Sequence, residues 1–451
     1  MGMRYLFPFD KVVFGESVII YGYGKVGKSY VEQIEMTGYC KIVAIVDRME
    51  KILSVSKYKI IDVSNIVEEK FDKIIVALEN NIQAHAVEHN LINYGIKSRM
   101  IIKTCRKISL HNEQKPYKIN SSYGDEIIHI GIDGGGGLGD TVLVLPLLYR
   151  LKEMLGGRVE ITFISKYKEM LDYVSYVEYT YESNVKQVFD IFIKNDHIPL
   201  VVYWVPQKVK KISPLLYDYI MSIIELRSKF SSRLNGDKLW HFARVMKRKR
   251  YNVCDFLGIL NVEEYQGRLI NIPKNEEQIL EKFHQKRHQY LVINRDVDIN
   301  SNMSNFKLWS EKQYNELIRM IKQKFSKISL VRVGVRAGKD KMEGLDFDLT
   351  GKTSLSELLV LLKNSRLLIS GEGGVVHLNH FLGGKSVVVY GPTDENYFGY
   401  EEDIICTNRF PCDIACQYIS EDTSCPIGGG EPQCMKNVTP KLVFNKIVDY
   451  L

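Results

Sequence analysis

The sequence has 451 residues, with 61 lysines and arginines against 54 aspartates and glutamates and a formal net charge of +7. At roughly 150 residues per domain, this length predicts about three domains. Hydrophobic residues make up 45% and charged residues 25%, which argues against a disordered or fibrous chain. The mild positive charge is compatible with anionic small molecules or an anionic membrane surface, and it is too small to indicate nucleic-acid binding.

The sequence predicts a cytoplasmic protein. Its first residues, MGMRYLFPFDK, lack the apolar core of a signal peptide, and no run approaches the ~18 apolar residues of a transmembrane helix. In a reducing compartment, clustered cysteines favour metal binding over disulfides. Five of the eight cysteines lie in one C-terminal stretch: Cys406, Cys412, Cys416, Cys425 and Cys434.

The sequence predicts a small Rossmann-like α/β domain over residues 1–110. Four β-branched runs alternate there with helix-length segments. The runs are SVIIYG, KIVAIVD, DKIIVAL and SRMIIK. Residues 111–124 have no apolar periodicity and predict a linker. The rest of the chain predicts two further α/β units, residues 125–285 and 286–451. Their tandem arrangement predicts a cleft between two parallel sheets, with ligands beyond the carboxyl ends of the strands.

The first strand runs into a glycine turn that fits both the dinucleotide-binding pattern and the phosphate-binding P-loop. The next strand ends at Asp47, twenty residues beyond Gly27, where a ribose-binding carboxylate is expected. We therefore favour a nucleotide-binding set of Gly22, Gly24, Gly27 and Asp47. A dinucleotide and a nucleotide sugar are both compatible with it. The alternative is that the glycines only form a tight turn, and that the domain serves as a scaffold for an oligomer.

The second unit opens with strand EIIHIGID, four glycines and Asp140, followed by an apolar helix. Asp140 fits a helix-capping carboxylate and, equally, a base that accepts a proton from a hydroxyl group. The basic stretch Lys247–Arg250 fits a solvated helix face better than a site for an anionic glycolipid or membrane headgroups.

The third unit repeats the plan with QYLVINRD, KISLVRVG, LLIS and SVVVYG. The turn at Gly373 and Gly374 exposes backbone N–H groups at a helix N-terminus, which is an anion site. Lys307 is a suitable point charge for a diphosphate, although alone it would be a solvated lysine. His377 taken alone would be a packed core histidine.

Taken in order, GLGD with a following proline, K-x-W, E-x-G-x-x-H-L, GPTD and clustered cysteines resemble the heptosyltransferases, glycosyltransferase family nine. The resemblance covers residues 126–451. It implies a GT-B fold, with the acceptor held mainly by the first half and a nucleotide sugar, commonly ADP-heptose, by the second.

The resemblance also implies roles for single residues. Asp140 would be the general base and Lys307 a contact of the donor phosphates. Glu372 stands where the family usually has aspartate, and Gly373 where threonine is common, which leaves the donor's identity open. The implied donor-binding set is Lys307, Glu372, Gly373, Gly374, His377, Thr393 and Asp394.

The spacing Cys412-x3-Cys416-x8-Cys425-x8-Cys434 can close a tetrahedral site for zinc or iron. It resembles the cysteine-rich segment of family members, including the iron-binding finger of autotransporter heptosyltransferases. We expect a structural metal and no catalytic one, with free packed cysteines as the alternative. Acidic residues between the cysteines argue against nucleic-acid binding through this segment.

The sequence therefore predicts an inverting glycosyltransferase. It would move a sugar, most simply a heptose from ADP-heptose, to a hydroxyl of a cell-surface glycan, glycolipid or protein. Peripheral contact with the inner face of the membrane and a homo-oligomer are compatible with this hypothesis. The departures at Glu372 and Gly373 motivate an alternative, a non-catalytic sugar-nucleotide sensor or assembly subunit.

Overall fold

The computed structural model describes residues 3–8, 11–13, 15–37, 40–47, 58–103, 105–109, 126–182, 189–196, 198–229, 248–295, 307–335, 342–412, 415, 425 and 432–451. The predicted linker lies outside these residues. The chain divides into two compact units, the first comprising Met1–Glu113 with Glu225–Lys247 and the second Gln114–Ile224 with Arg248–Leu451.

The first unit contains a five-stranded parallel sheet with strand order β4-β3-β2-β5-β6. The four runs that predict strands all form them, although the last gives only a two-residue strand. Val18, Ile19 and Ile20 of the central strand are fully buried, as expected for a strand covered on both faces. The elements are β1 (Met3–Leu6), β2 (Ser17–Tyr21), α1 (Lys25–Thr37), β3 (Lys41–Val46), β4 (Ile60–Ile61), β5 (Lys73–Val76), α2 (Asn81–Asn93), β6 (Ile101–Ile102) and β7 (Arg106–Ser109).

A second, two-stranded sheet in this unit pairs β1 with β7 in antiparallel fashion. The sequence pattern does not predict it, because each strand is too short to show a period. It is fastened to α1 through Tyr5, whose carbonyl accepts hydrogen bonds from Ser29 Oγ and Gln33 Nε2, both at 2.7 Å.

In the second unit, the first half is built on a five-stranded sheet with order β10-β9-β8-β11-β12. All of its pairs are parallel except β11 with β12, an antiparallel edge pair that the sequence analysis did not predict. The elements of this half are β8 (Ile128–Asp133), α3 (Leu138–Val142), α4 (Leu145–Leu155), β9 (Val159–Ile164), α5 (Lys168–Leu171), β10 (Tyr179–Tyr181), β11 (Ile191–Asp196), β12 (Ile198–Trp204), α6 (Pro206–Ile212) and α7 (Pro214–Lys229).

The second half is built on a six-stranded parallel sheet with order β15-β14-β13-β16-β17-β18, the strand order of a doubly wound Rossmann fold. Its elements are α8 (Glu276–Lys282), β13 (Tyr290–Asn294), α9 (Glu311–Lys324), β14 (Ser329–Val333), β15 (Phe347–Asp348), α10 (Leu355–Asn364), β16 (Leu367–Gly371), α11 (Gly374–Phe381), β17 (Ser386–Tyr390), α12 (Glu395–Phe398), β18 (Ile404–Thr407), α13 (Gln433–Asn437) and α14 (Pro440–Ile447).

The C-terminal helix α14 packs on the second half, as its helical spacing predicts. Val443 and Ile447 are fully buried in one cluster with Leu317 and Ile318 of α9. The predicted fold class, α/β with tandem Rossmann-like sheets after a small Rossmann-like domain, is confirmed. No helix among the described residues is long and apolar enough to cross a membrane.

The strand orders decide where ligands can bind. In each large sheet the order reverses at a switch point, between β2 and β5, between β8 and β11, and between β13 and β16. Crevices open at such points beyond the carboxyl ends of the strands. The three glycine-rich turns follow β2, β8 and β16, so each lies at a switch point.

Candidate active site

The first half presents Asp140 in the first turn of α3, directly after the glycine turn that follows β8. Its Oδ2 accepts a hydrogen bond from the Gly137 backbone N–H at 3.1 Å, so the carboxylate does cap the helix. Nδ2 of Asn195, at the end of β11, donates to the Asp140 carbonyl at 2.8 Å and fixes the turn to the sheet. The Asp140 side chain remains 32% exposed and is therefore accessible to a ligand.

Arg250 is a buried cation beside this carboxylate. Its Nη2 donates to Asp140 Oδ1 at 2.9 Å, and the side chain is only 5% exposed. Burial lowers the pKa of Arg250, but Tyr397 and Asp140 outweigh it and raise the pKa above its ordinary value. For Arg250, both interpretations of the basic stretch are therefore wrong, since the residue is neither solvated nor open to a lipid headgroup. Arg248 and Lys249 are partly buried and donate to backbone carbonyls.

The two halves meet at a pair of glycines, Gly139 in α3 and Gly374 at the start of α11. A Cβ added to Gly374 would lie 2.6 Å from the backbone nitrogen of Gly139 and 3.1 Å from its Cα. Packed atoms do not approach so closely, so this contact requires glycine at position 374. The first-turn N–H groups of α11 have no partner within their helix. The contact thus places an anion-binding helix end beside the helix that carries Asp140.

His377 lies one turn into α11 and is 3% exposed. Its Nδ1 is 2.7 Å from the Tyr400 hydroxyl. Burial, followed by the positive charge of Arg250, lowers the pKa of His377 to about 3, so the imidazole is neutral at physiological pH. Asp140 and Lys307 also act on this pKa. The sequence-predicted base, the predicted phosphate contact and His377 therefore share one neighbourhood.

Lys307 pairs with Glu372, which directly follows β16. The Lys307 ammonium donates to Glu372 Oε2 at 2.8 Å, and Glu372 is 8% exposed. The same ammonium lies 5.6 Å from the centre of the Phe398 ring, a cation–π distance. The structure thus brings these two predicted donor-binding side chains together, with the lysine charge engaged by a carboxylate.

Thr393 and Asp394 are both buried, at 2% and 5% exposure. Asp394 Oδ1 accepts from the Asn396 backbone N–H at 2.9 Å and caps α12. Arg409 Nη2 donates to the Thr393 carbonyl at 2.6 Å, and its guanidinium also pairs with Glu395. Arg409 therefore holds the turn in which both predicted residues lie.

Three of the four predicted metal-ligating cysteines fall in the described part of the chain. Cys425 and Cys434 are buried and Cys412 is partly buried. Burial, with contributions from the Cys425 and Cys412 thiols, raises the pKa of Cys434 to about 11, so the three sulfurs lie within electrostatic range. Cys416 lies outside the described residues. Cys406 is in β18 and packs into the hydrophobic core.

The glycine turn of the first unit is tightly packed. A Cβ on Gly27 would lie 1.9 Å from the Gly22 carbonyl oxygen, and Gly22 has φ +96°. Asp47 lies beside the turn, because its Oδ2 accepts from the Tyr23 backbone N–H at 2.5 Å. A Cβ added to Gly24 would have no other atom within 4 Å. The turn therefore needs Gly22 and Gly27 for the local fold whether or not a nucleotide binds there.

Comparison with known families supports a glycosyltransferase. Residues 225–417 match the family model of glycosyltransferase family 9 (heptosyltransferase). The match covers less than half of the chain and supports a glycosyltransferase. Residues 15–102 match a second model, the C2185-like N-terminal domain, which coincides with the Rossmann-like sheet of the first unit. No curated protein matches the sequence significantly.

The chain is also similar to solved glycosyltransferases. A family 9 glycosyl transferase from Veillonella parvula has 15% identity and a TM-score of 0.46, covering 73% of this chain and 99% of that one. ADP-heptose LPS heptosyltransferase II from E. coli has 12% identity and a TM-score of 0.44, covering 72% and 98%. The iron-containing dodecameric glycosyltransferase TibC from enterotoxigenic E. coli has 14% identity and a TM-score of 0.48, covering 77% and 78%.

Sequence reasoning missed three residues of this candidate site: Arg250, Tyr400 and Arg409. Arg250 stands in a basic run, which hides a buried arginine among solvated ones. Tyr400 and Arg409 belong to no motif. Arg250 contacts Asp140, Tyr400 contacts His377, and Arg409 contacts Thr393. Only the tertiary structure shows these contacts, because each partner lies at least 16 positions away in the sequence.

Proposed function

We propose that this glycosyltransferase moves a sugar, a heptose, from a nucleotide-diphosphate donor such as ADP-heptose to a hydroxyl group, with inversion at the anomeric carbon. The observation that carries the proposal is the contact of Gly139 with Gly374. It brings the carboxylate of one half beside the anion-binding helix end of the other. The acceptor would be a cell-surface glycan, glycolipid or protein.

In this proposal Asp140 is the general base. Its carboxylate takes the proton of the acceptor hydroxyl while that oxygen attacks the anomeric carbon, and the nucleoside diphosphate leaves from the opposite face. Arg250 and the Gly137 N–H hold one oxygen each. Each carboxylate oxygen can accept further hydrogen bonds, so the group can still receive the proton.

The leaving group gains one negative charge as the bond to the anomeric carbon breaks. Lys307 and the N–H groups of Gly373 and Gly374 would stabilise this charge, and Thr393 and Asp394 would line the donor side. His377 is neutral, so it would contribute hydrogen bonding rather than charge. Because a lysine and a helix end supply the positive potential, the proposal needs no catalytic metal ion.

A transfer assay with Asp140→Asn tests this function, since asparagine keeps the shape of the side chain but cannot accept the proton. ADP-heptose and other nucleotide sugars are offered, and free nucleotide and sugar transfer are both measured. We expect loss of both activities in a protein that still folds by circular dichroism, with a lowered melting temperature because one oxygen contact of the carboxylate is lost. Asp172→Asn in the same half is the matched control, because Asp172 pairs with Lys168 on the surface. Normal transfer by the folded Asp140→Asn variant contradicts the assignment.

One observation favours the alternative of a non-catalytic sugar-nucleotide sensor or assembly subunit. Glu372 engages Lys307 at 2.8 Å, where a phosphate would otherwise bind. A sensor would bind a nucleotide sugar in a calorimeter without releasing nucleotide or sugar. Turnover of any donor in the assay above excludes it.

We also propose that Cys412, Cys416, Cys425 and Cys434 hold a structural iron or zinc ion. The burial of Cys425 and Cys434 and the effect of the Cys425 and Cys412 thiols on the pKa of Cys434 support this. The raised pKa of the Cys434 thiol means that the metal must displace its proton, so binding weakens as the pH falls. Metal analysis of the purified protein tests the site. Cys434→Ser should lower the bound metal, whereas Cys105→Ser, in the first unit, should not. Equal metal content in both variants contradicts the proposal.

For the first unit we propose a dinucleotide or nucleotide-sugar site at Gly22, Gly24, Gly27 and Asp47. The position of the turn at the switch point between β2 and β5 supports it. Mass spectrometry of nucleotide released from the purified protein tests it, with Asp47→Asn as the variant. A protein that neither carries nor binds any nucleotide there leaves the turn with its structural role alone.

Peripheral membrane contact and homo-oligomer formation are separate proposals. Arg250 cannot contribute to membrane contact because it is buried, which leaves Lys247, Arg248 and Lys249 of the basic stretch. Flotation with anionic liposomes tests the contact, and salt-insensitive or absent binding removes it. Light scattering measures the oligomeric state.

A further inference from the structure

A group of side chains beside the candidate transfer site, adjoining it through Tyr400, combines one histidine with two glutamates. Glu264 lies in the segment that connects the two halves, His380 lies in α11, and Glu402 lies between α12 and β18. Their ligand atoms are all within 4.8 Å of one another. His380 Nε2 is 2.9 Å from Glu264 Oε1. We call these three residues the Glu264 cluster.

His380 is the member that points to a ligand. It has no exposed surface, yet neither of its ring nitrogens makes a hydrogen bond within the described residues. The Glu264 Oε1 is likewise buried without a hydrogen bond in this part of the chain. His380 Nε2 and Glu264 Oε1 form an ion pair only when the imidazole is protonated, whereas His380 Nδ1 has no hydrogen bond in either case within the described residues. A buried polar atom without a hydrogen bond is costly, so such atoms usually serve a purpose. In this cluster, His380 Nε2 and Glu264 Oε1 face one another.

The imidazole is also held rigidly. Its ring stacks on Tyr400 with centroids 3.5 Å apart and an interplanar angle of 8°. A fixed imidazole plane loses little entropy on binding a metal ion, which is the kind of orientation that surrounding residues give to histidine ligands. Glu402 is exposed and free to turn towards the nitrogen.

The surroundings carry excess negative charge. Among the described residues, neither Glu264 nor Glu402 forms an ion pair with a lysine or arginine. Burial, followed by Glu264, Glu401 and Glu402, raises the pKa of Tyr251 nearby. A divalent cation would neutralise both carboxylates of the cluster, whereas His380 alone offers at most one positive charge.

We propose that Glu264, His380 and Glu402 bind a divalent transition-metal ion such as Zn²⁺. An imidazole with two carboxylates is a zinc-type ligand set, and three protein ligands leave a position for water. The ligand atoms are close enough to reach metal–ligand distances of about 2.0–2.2 Å by small side-chain rotations. Magnesium and calcium, which prefer oxygen ligands, fit this set less well.

The ion would fasten the connecting segment to the second half. That segment already contacts α11, because the Gly267 N–H donates to the His380 carbonyl at 3.3 Å. A Cβ on Gly267 would lie 3.2 Å from Gly383 Cα, so the backbones are in close contact. The role is structural and does not depend on the transfer reaction proposed above.

Titration of the full-length protein, as purified, with Co²⁺ tests the site by visible and near-ultraviolet absorption. Cobalt on nitrogen and oxygen ligands lacks the thiolate charge-transfer bands that a cysteine site gives, so the two sites are separable. We expect an equivalent of Co²⁺ to bind without those bands. Glu402→Gln and Glu264→Gln should each weaken this binding at least about tenfold, the loss that even a supporting residue of a metal ligand causes.

Glu401→Gln is the matched control, since it removes the same charge from the adjacent exposed position. It should bind Co²⁺ like the parent protein. Two results overturn the proposal: no Co²⁺ uptake apart from the thiolate bands, or equal affinity in Glu402→Gln and the parent. Because Glu402 is exposed, its variant is expected to fold, which circular dichroism checks.

Discussion

Arg250 Nη2 donates to Asp140 Oδ1 at 2.9 Å, from a guanidinium that is 5% exposed to a carboxylate that is 32% exposed. The arginine cannot rotate into solvent without leaving a buried cavity, whereas the more exposed carboxylate can move. Arg250 therefore holds the Asp140 carboxylate in place. Arg250 is thus a positioning residue for the proposed base. The two residues lie 110 positions apart in the chain.

Replacing Arg250 should therefore impair catalysis more than donor binding. We expect Arg250→Gln to lower kcat by about 10²-fold, in the range that misplaced catalytic groups cost, with a smaller change in KM. The acidic limb of the pH–rate profile should move to higher pH, because the carboxylate loses a stabilising cation. Lys249→Gln is the control. A changed KM with an unmoved pH profile assigns Arg250 to substrate binding instead.

The glycine contact gives a prediction about stability. Gly374→Ala forces a methyl group to 2.6 Å from the Gly139 backbone nitrogen, so it should destabilise the second unit by about 1–3 kcal/mol. Gly373→Ala is the matched variant, because a Cβ there meets nothing within 4 Å. Differential scanning calorimetry should show a lowered melting temperature only for Gly374→Ala. Equal melting temperatures would mean that the halves do not need this contact.

His377 makes the folded state sensitive to acid. Its folded pKa of about 3 lies below the unfolded value of about 6.5, so between these values the unfolded chain binds the extra proton. Stability is therefore fully present above pH 6.5 and falls with pH, by up to about 3 kcal/mol at pH 4 from this group alone.

Denaturant unfolding at pH 7 and pH 4 measures this effect. His377→Gln keeps a hydrogen-bonding partner for Tyr400 but cannot titrate, so its loss of stability on acidification should be smaller than that of the parent. His284→Gln, at an exposed position, is the control and should behave like the parent. An identical acid response in all three proteins would show that His377 does not control it.

Lys307 and Glu372 should behave as a unit. Lys307→Ala removes the charge that stabilises the leaving group, and we expect kcat to fall by about 10²–10³-fold. Glu372→Gln weakens the pair that holds the ammonium. A double-mutant cycle on kcat/KM should show a coupling energy of about 0.5–3 kcal/mol. Additive effects would mean that Glu372 contacts the donor independently of Lys307.

Much of the fold follows from local pattern. The β-branched runs from SVIIYG to SVVVYG form the parallel strands that they predict, because a strand buried on both faces needs a continuous apolar run. Short or half-exposed strands escaped prediction. β1, β7 and β12 are stabilised by partners distant in sequence or across a hairpin, and such pairing leaves no period within a single strand.

The sequence by itself determined the chemical groups of the candidate site and their order: the carboxylate after a glycine turn, the lysine, the glycines at a helix start and the clustered cysteines. These are readable because a tight turn, a helix end and a metal site each demand particular residue types at short spacing. Only the tertiary structure decided which groups meet. Arg250, which stands in a basic run, is buried against Asp140. His377 is neutral because of its burial and the charge of Arg250. His380 faces two glutamates from separate segments. Burial and long-range contact set charge and partnership, and neither is written in local spacing.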